Sequence, residues 1–362
     1  MISTIQRQLA SKGRITFSEF MHLALYDARE GYYATAREKF GAEGDFYTAS
    51  QVHELYGALL ADEFAAAWRG LGEPRDFTII ELGAGRGEFA RDALAALREK
   101  HPDCFRAARY LICEISERLR AEQRARLAEF AVRVDWVGDL SELAAPVSGV
   151  VFSNEFFDAL PVHLVRQRDG DLRELYVEQV SDSGLRLSEG ELSSAALAEY
   201  WQRAGVLLEE GQRAEINLNA LKWIERIAQV LAQGRVITID YGDLSAHLYT
   251  PNRMDGTLRC FYRHTLNDEP LERIGEQDIT ASVNFTALIE YGADAGLKTL
   301  SLTRQTDYLI DLGLLERAAD LARQAEGESP QALKQRLALK NLFLPQGIAA
   351  YFKVLVQDKI AV

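Results

Sequence analysis

The sequence predicts an α/β fold built on a doubly wound, largely parallel sheet, and three observations lead there. First, short apolar runs alternate with helix-length amphipathic stretches from residue 76 onward. Second, the first of these runs, Phe77-Thr-Ile-Ile, leads into a glycine-rich turn, Glu81-Leu-Gly-Ala-Gly-Arg-Gly87. Third, five such runs are joined by two more near the end of the chain, making seven strands with a last pair free to run antiparallel. Nearly continuous apolar strands of this kind are buried on both faces by helices.

Composition frames this expectation. The chain has 362 residues, with 41 Lys+Arg against 54 Asp+Glu and a net charge of −13. At about 150 residues per domain, that length allows two to three units, or one domain with large insertions. A hydrophobic content of 48% supplies a sizeable core. The acidic excess argues against a nucleic-acid partner, which calls for a basic face, and reads mainly as solubility. Cys104, Cys113 and Cys260 form no C-x-x-C pair and the six histidines no H-x-x-x-H pair, so no metal site is expected. No run approaches the roughly 18 apolar residues of a membrane span. The start, MISTIQRQLASKGRITF, has no secretory apolar core. These readings lead to the expectation of a cytoplasmic protein.

Taken in order, residues 1–75 read as a helical segment. A Ser/Thr start at Thr16 precedes Phe17, Phe20, Met21 and Leu25 at helical spacing, and a second amphipathic stretch runs from Ser50 to Trp68. Between them lies the polar loop Gly41-Ala-Glu-Gly-Asp-Phe-Tyr-Thr48. Residues 76–162 form the first half of the sheet. Strands are expected at 77–80, 110–114, 132–137 and 149–155, with helices at 88–100 and 116–130. Residues 163–232 interrupt the alternation as an inserted cap. They hold a hairpin signal around Asp169-Gly170 and helical stretches at about 193–204 and 217–232. Residues 233–362 complete the sheet. Strands at 235–240, 298–303 and 349–357 are accompanied by an irregular stretch at 243–278, a helix at 284–295 and a helical block at about 306–342.

Ligands of open α/β sheets sit at the carboxyl ends of the strands, and four consecutive ends here carry suitable residues. The first carries Glu81 and the turn Gly83-Ala84-Gly85-Arg86-Gly87, where glycine permits tight turning and close backbone approach. The helix after it offers free N–H groups. The second carries Glu114, able to accept both hydroxyls of a ribose diol. The third carries Asp139 and Leu140, suited to an adenine amino group and ring. The fourth carries Asn154 and Glu155, facing the reacting group.

The turn is G-x-G-x-G, and Glu88 stands where the third glycine of a dinucleotide fingerprint would fall. A glutamate there repels a pyrophosphate. Glu114 also lies well beyond the spacing of about 20 residues that this fingerprint requires. S-adenosyl-L-methionine has no phosphate and carries sulfonium and ammonium cations, which Glu81 suits. It is therefore the expected cofactor.

These residues resemble the MidA-like family of class I S-adenosylmethionine-dependent methyltransferases, which includes the mitochondrial complex I assembly-factor methyltransferase. The resemblance spans nearly the whole chain. It rests on Gly31-Tyr-Tyr33, Gly44-Asp45-Phe46-x-Thr48, Glu81–Gly87, Asn154-Glu-Phe-Phe-Asp-Ala-Leu-Pro161, Ile239-Asp-Tyr-Gly242, Gly256-Thr-Leu-Arg259, Asp278-Ile-Thr280 and Phe352-Lys-Val-Leu355. Ala84 stands where the family usually has Pro, Ser50-Gln51 where it has Pro-Glu, and Ser282 where His is expected. The resemblance implies a seven-stranded Rossmann-like methyltransferase sheet. It also implies methyl transfer to a protein, with an arginine side chain favoured. The other reading is an assembly factor or scaffold that binds the cofactor with little turnover.

A guanidinium acceptor is always protonated in solution and calls for carboxylates that grip it and take its proton. Glu155 is the first candidate, with Asp158 and Asp240 next and Asn154 as a positioning group. Each also has a structural reading: Asn154 as a helix cap, Glu155 as a first-turn acid, Asp158 and Asp240 as turn residues. Arg86 is either a surface residue or a clamp for the cofactor carboxylate. His163 and His264 are the histidines nearest these motifs, and Phe46 is the one aromatic assigned to the cofactor pocket. The sequence carries no signal for oligomeric state.

Overall fold

The computed structural model describes residues 3–34, 54–180, 184–263, 265–324 and 351–361. Phe46 with the Gly44-Asp45 segment, Ser50-Gln51, His264 and the 325–342 part of the expected helical block lie outside the described residues.

Among the described residues seven strands form the main path of the central sheet, β1 (Phe77–Leu82), β2 (Ala108–Cys113), β3 (Val134–Val137), β4 (Val147–Asn154), β5 (Leu231–Asp243), β6 (Leu297–Arg304) and β7 (Phe352–Lys359), and an eighth, the two-residue strand Val283–Asn284, pairs parallel with the end of β5. Their order is β6-β7-β5-β4-β1-β2-β3. β1 runs parallel to β2 and β4, β2 to β3, and β4 to β5, while β7 is antiparallel to both β5 and β6. The expected fold class is borne out, down to the antiparallel closing pair. The strand order reverses at β1, which opens a crevice beyond the carboxyl ends of β1 and β4.

The β-branched residues explain the sheet. Ile79 and Ile80 of β1 lie opposite Val150 and Val151 of β4, and all four are buried. Helices α1 (Glu54–Gly70) and α2 (Glu88–Lys100) bury their apolar stripes in the same core. There Phe89 stacks on Phe152 with ring centres 4.4 Å apart, and Phe64 meets both rings edge-on. Helix α3 (Glu117–Arg126) starts at Ser116, whose hydroxyl accepts the Leu119 N–H.

Residue contacts group the chain into two compact units. One comprises residues 47–156, 225–241 and 292–362 and holds this sheet, apart from the last two residues of β5 and the strand Val283–Asn284. The other comprises residues 1–46, 157–224 and 242–291. In it, Thr16 caps the helix Phe17–Tyr26 in a capping box with Glu19, at the start the sequence marks. The hairpin expected at Asp169-Gly170 joins His163–Arg168 to Asp171–Gln179 through a two-residue loop. Both loop residues have positive φ, 52° and 86°, as this turn type demands.

The N-terminal stretch read as helical also contains a strand, Arg14–Thr16, which pairs with Tyr176–Glu178. Likewise, the stretch read as irregular contains a three-stranded sheet of Arg259–Tyr262, Thr265–Asn267 and Asp278–Thr280. Strands of three or four residues are too short to show a period.

Candidate functional site

The glycine-rich turn leaves β1 with the Gly83 N–H donating to the Cys113 carbonyl at 3.1 Å and closes with Gly87 N–H on the Ala84 carbonyl at 2.8 Å. Gly83, Gly85 and Gly87 all have positive φ, 66°, 53° and 78°. A Cβ at Gly83 would lie 2.9 Å from the Phe156 ring, whereas one at Gly85 would meet no heavy atom within 4 Å. The turn is therefore packed on one side and open on the other. Gly87 precedes α2 with no side-chain cap, so the first N–H groups of α2 have no side-chain acceptor from that position. Ala84 is buried. Arg86 reaches Glu122 of α3, with Nε 3.4 Å from the carboxylate.

A residue that sequence reasoning missed supports this turn. Gln123 of α3 is fully buried, donates its amide N–H to the Gly85 carbonyl at 2.8 Å and accepts the Trp136 indole N–H at 2.8 Å. Nothing in the polar stretch Glu117–Arg126 distinguishes it.

The acids at the next strand ends differ in environment. Glu81 is buried and accepts the Tyr110 hydroxyl at 2.8 Å. Burial pushes its carboxyl up to about 8 against that hydrogen bond, and the Glu114 charge adds to the rise. Glu114 follows β2, is 8% exposed and accepts the Ser116 N–H at 2.8 Å. Burial raises its carboxyl as well, opposed by hydrogen bonds from Ser116 and Gln123. Asp139 follows β3 and lies nearer solvent. Its side chain accepts the Ser141 N–H at 2.9 Å and pairs with Arg226 at 2.7 Å; the Ser141 bonds first, then Arg226, hold it below the usual carboxylate range. Leu140 beside it is buried.

At the end of β4 the backbone turns sharply. Glu155 has φ of 52°, a left-handed conformation uncommon for a side chain of this size. Its N–H donates to the Ile239 carbonyl of β5 at 2.9 Å, and the next N–H, of Phe156, donates to Asp240 Oδ2 at 3.2 Å. Asp240 is fully buried, and its Oδ1 accepts the Tyr241 N–H at 2.9 Å. The Glu155 side chain accepts the Asn154 amide N–H at 3.0 Å, and Asn154 Oδ1 accepts the hydroxyl of Tyr56 at 2.7 Å. Tyr56 lies on α1, and sequence reasoning missed it too.

Of the predicted residues, Glu81, Gly83, Ala84, Gly85, Arg86, Gly87, Glu114, Asp139, Leu140, Asn154, Glu155 and Asp240 belong to one unit, at or next to the carboxyl ends of β1 to β5. Asp158 belongs to the other unit, where it is 6% exposed and its carbonyl accepts the Ala281 N–H at 3.0 Å. In that unit Tyr33 donates to Asp278 at 3.1 Å, and His163 Nδ1 lies 2.7 Å from the buried carboxylate of Glu174. Phe46 lies outside the described residues. Among the described residues no group of three or more His, Cys, Asp or Glu side chains is placed to hold a metal, and no helix is long and apolar enough to cross a membrane.

Comparison with known proteins gives this geometry a context. A family model for S-adenosyl-L-methionine-dependent methyltransferases matches residues 59–303. The mitochondrial protein arginine methyltransferase NDUFAF7 of Mus musculus is 28% identical over 97% of this chain and 83% of its own, and that of Homo sapiens 28% identical over 87% and 73%. A crystal structure from Burkholderia thailandensis, bound to S-adenosyl-homocysteine, is 30% identical and covers 99% of this chain and 91% of its own, with a TM-score of 0.86. The resemblance to the MidA-like family is thereby borne out. The cytoplasmic expectation is not: the animal relatives are named as mitochondrial proteins. That expectation rested on the cysteine usage, the lack of a long apolar run and the lack of a secretory apolar core, none of which separates cytosol from mitochondrion.

Proposed function

Because this chain belongs to the family of S-adenosyl-L-methionine-dependent methyltransferases, we propose that its acceptor is a protein and that the group methylated is an arginine side chain. The observation that carries the reading is the placing of Glu81, Glu114, Asp139 and Glu155 at successive strand ends around a turn that is open at Gly85. Acids in that pattern suit a cationic, phosphate-free cofactor and a cationic acceptor. The names of the animal relatives as protein arginine methyltransferases support the same acceptor.

The residues present fit the cofactor. Gly85 would let the backbone come close to it, and the first N–H groups of α2 would serve its polar end. Glu114 would take the ribose hydroxyls, Asp139 and Leu140 would lie at the adenine, and Glu81, whose carboxyl burial raises to about 8, would be ionised by the cofactor's positive charge. Ala84, Arg86 and Phe46 complete the cofactor-side assignment. When bound, the cofactor supplies an electrophilic methyl group. What remains for the protein is alignment of the acceptor and control of its proton.

Glu155 is assigned the grip on the guanidinium. As the acceptor nitrogen takes the methyl group, one N–C bond forms as the methyl–sulfur bond breaks, the electron pair leaving with sulfur, and the nitrogen sheds one proton, which this carboxylate takes. Asn154 orients Glu155, and Asp240 holds the backbone turn that presents it, so Asp240 acts by positioning.

Incubating the purified protein with methyl-labelled S-adenosylmethionine and a whole-cell lysate tests this. Mass spectrometry is expected to find the label on arginine in a protein. Label confined to small molecules or to another residue type would overturn the acceptor assignment, and no transfer at all would favour a scaffold.

A further inference from the structure

We infer that Tyr56 is a positioning residue for methyl transfer, acting on Glu155 through the side chain of Asn154. This rests on the proposed role of Glu155 and extends it to a residue on α1 outside the motifs named above.

The ring of Tyr56 is fully buried and meets Phe89 edge-on, with centres 5.9 Å apart and an interplanar angle of 67°. Phe89 in turn stacks on Phe152, two residues before Asn154 on the same face of β4. The phenol therefore cannot swing away. Its hydroxyl donates to Asn154 Oδ1 at 2.7 Å. An amide has one acceptor end and one donor end, so occupying Oδ1 turns Nδ2 toward Glu155, where it donates to Oε1 at 3.0 Å. Burial first, and the Glu155 charge next, hold the phenol well above its ordinary pKa, so Tyr56 stays a donor at any working pH.

Two sets of bonds thus fix Glu155. Its backbone, at φ 52°, is tied to β5 through Ile239, and its carboxylate is tied to α1 through Asn154 and Tyr56. Phenylalanine would fill the same volume without burying a hydroxyl. The hydroxyl is thus explained by the orientation it imposes rather than by packing.

The test compares Tyr56→Phe, Asn154→Ala, the double variant and Glu155→Gln. The readouts are the rate of labelled methyl transfer into lysate protein at saturating cofactor, the calorimetric Kd for S-adenosylmethionine, and Tm. Tyr56→Phe is expected to slow transfer roughly tenfold with Kd changed less than about twofold. In the Asn154→Ala background it is expected to slow transfer no further, because the two act in series. An unchanged rate in Tyr56→Phe, or losses that multiply in the double variant, would overturn the inference. So would a loss matched by a weaker Kd, or by a fall in Tm larger than that of Asn154→Ala, which marks a packing role. If Glu155→Gln retains full transfer, the underlying reading falls and this inference with it. If only Glu155→Gln is impaired, the inference alone falls.

Discussion

The carboxylate of Asp240 accepts the backbone N–H of Phe156 at 3.2 Å, joining the end of β5 to the turn that follows β4. With Glu155 N–H on the Ile239 carbonyl, this bond holds two successive amides of a left-handed turn. A non-glycine residue in that conformation costs about 1 kcal/mol or more, so the turn persists because its neighbours fix it. Asp240→Ala leaves the half-buried N–H groups of Phe156 and Tyr241 without this acceptor. Stability is expected to fall by about 2–4 kcal/mol, read from urea unfolding, with methyl transfer falling as the turn relaxes. Asp240→Asn keeps one acceptor oxygen and should lose less of both. Equal losses in the two variants would show that charge matters here, not the backbone brace.

Glu81 makes stability depend on pH in a definite direction. Its carboxyl sits near 8 in the folded protein, raised by burial against the Tyr110 bond, compared with an ordinary glutamate at about 4.5. The folded state therefore holds the proton more tightly than the unfolded chain. That contribution is fully present below about 4.5 and is lost as pH rises through about 8, at a slope of at most about 1.4 kcal/mol per pH unit. Glu81→Gln removes the ionisation and should flatten the decline. Glu114, also raised by burial, leaves a residual slope of the same sign. Denaturant unfolding of both proteins from pH 5 to 8 checks this. A difference between them that does not change with pH would contradict the assignment.

Two glycines separate ligand approach from sheet packing. A Cβ at Gly85 meets nothing within 4 Å, and its only evident penalty is the φ of 53°, about 1–2 kcal/mol. A Cβ at Gly149 would stand 1.8 Å from the Thr78 carbonyl oxygen of the paired strand. Gly85→Ala is expected to fold with a small loss of Tm and to weaken S-adenosylmethionine binding tenfold or more by calorimetry. Gly149→Ala is expected to lose about 3 kcal/mol or more of stability. Cofactor affinity untouched in Gly85→Ala would place the ligand elsewhere.

The strand ends were legible in the sequence because apolar runs bounded by acids and glycines have a period and a stop. The hairpin was legible because Asp169-Gly170 is what two consecutive positive φ angles require. What stayed hidden depends on partners distant in the chain. Tyr56 occupies an apolar position of an amphipathic helix, and its hydroxyl partner is 98 residues away. The Gly256-Thr-Leu-Arg259 motif was visible without its reason. The buried carboxylate of Glu215 accepts the N–H groups of Thr257 and Leu258 and the Thr257 hydroxyl, and a Cβ at Gly256 would lie 2.2 Å from it. That motif builds a turn, and its glycine answers a steric limit.

Gln123 offers the sharpest separation of turn support from direct ligand contact. Its amide bridges the Gly85 carbonyl and the Trp136 indole N–H from a fully buried position on α3. Gln123→Leu approximates the volume but leaves the Gly85 carbonyl and the Trp136 indole without their bond and withdraws the hydrogen bond to Glu114, at an expected cost of about 2–3 kcal/mol. Because the Gly85 carbonyl is then unheld, S-adenosylmethionine affinity should also fall, by roughly tenfold, although the substituted side chain lies behind the turn. Gln123→Glu keeps an acceptor for Trp136 and loses the donor to Gly85 when ionised. It should therefore impair affinity at least as much as Gln123→Leu while retaining the tryptophan contact. Calorimetric Kd and Trp fluorescence measured together distinguish the two bonds. An affinity unchanged in both variants would show that the turn keeps its shape without α3.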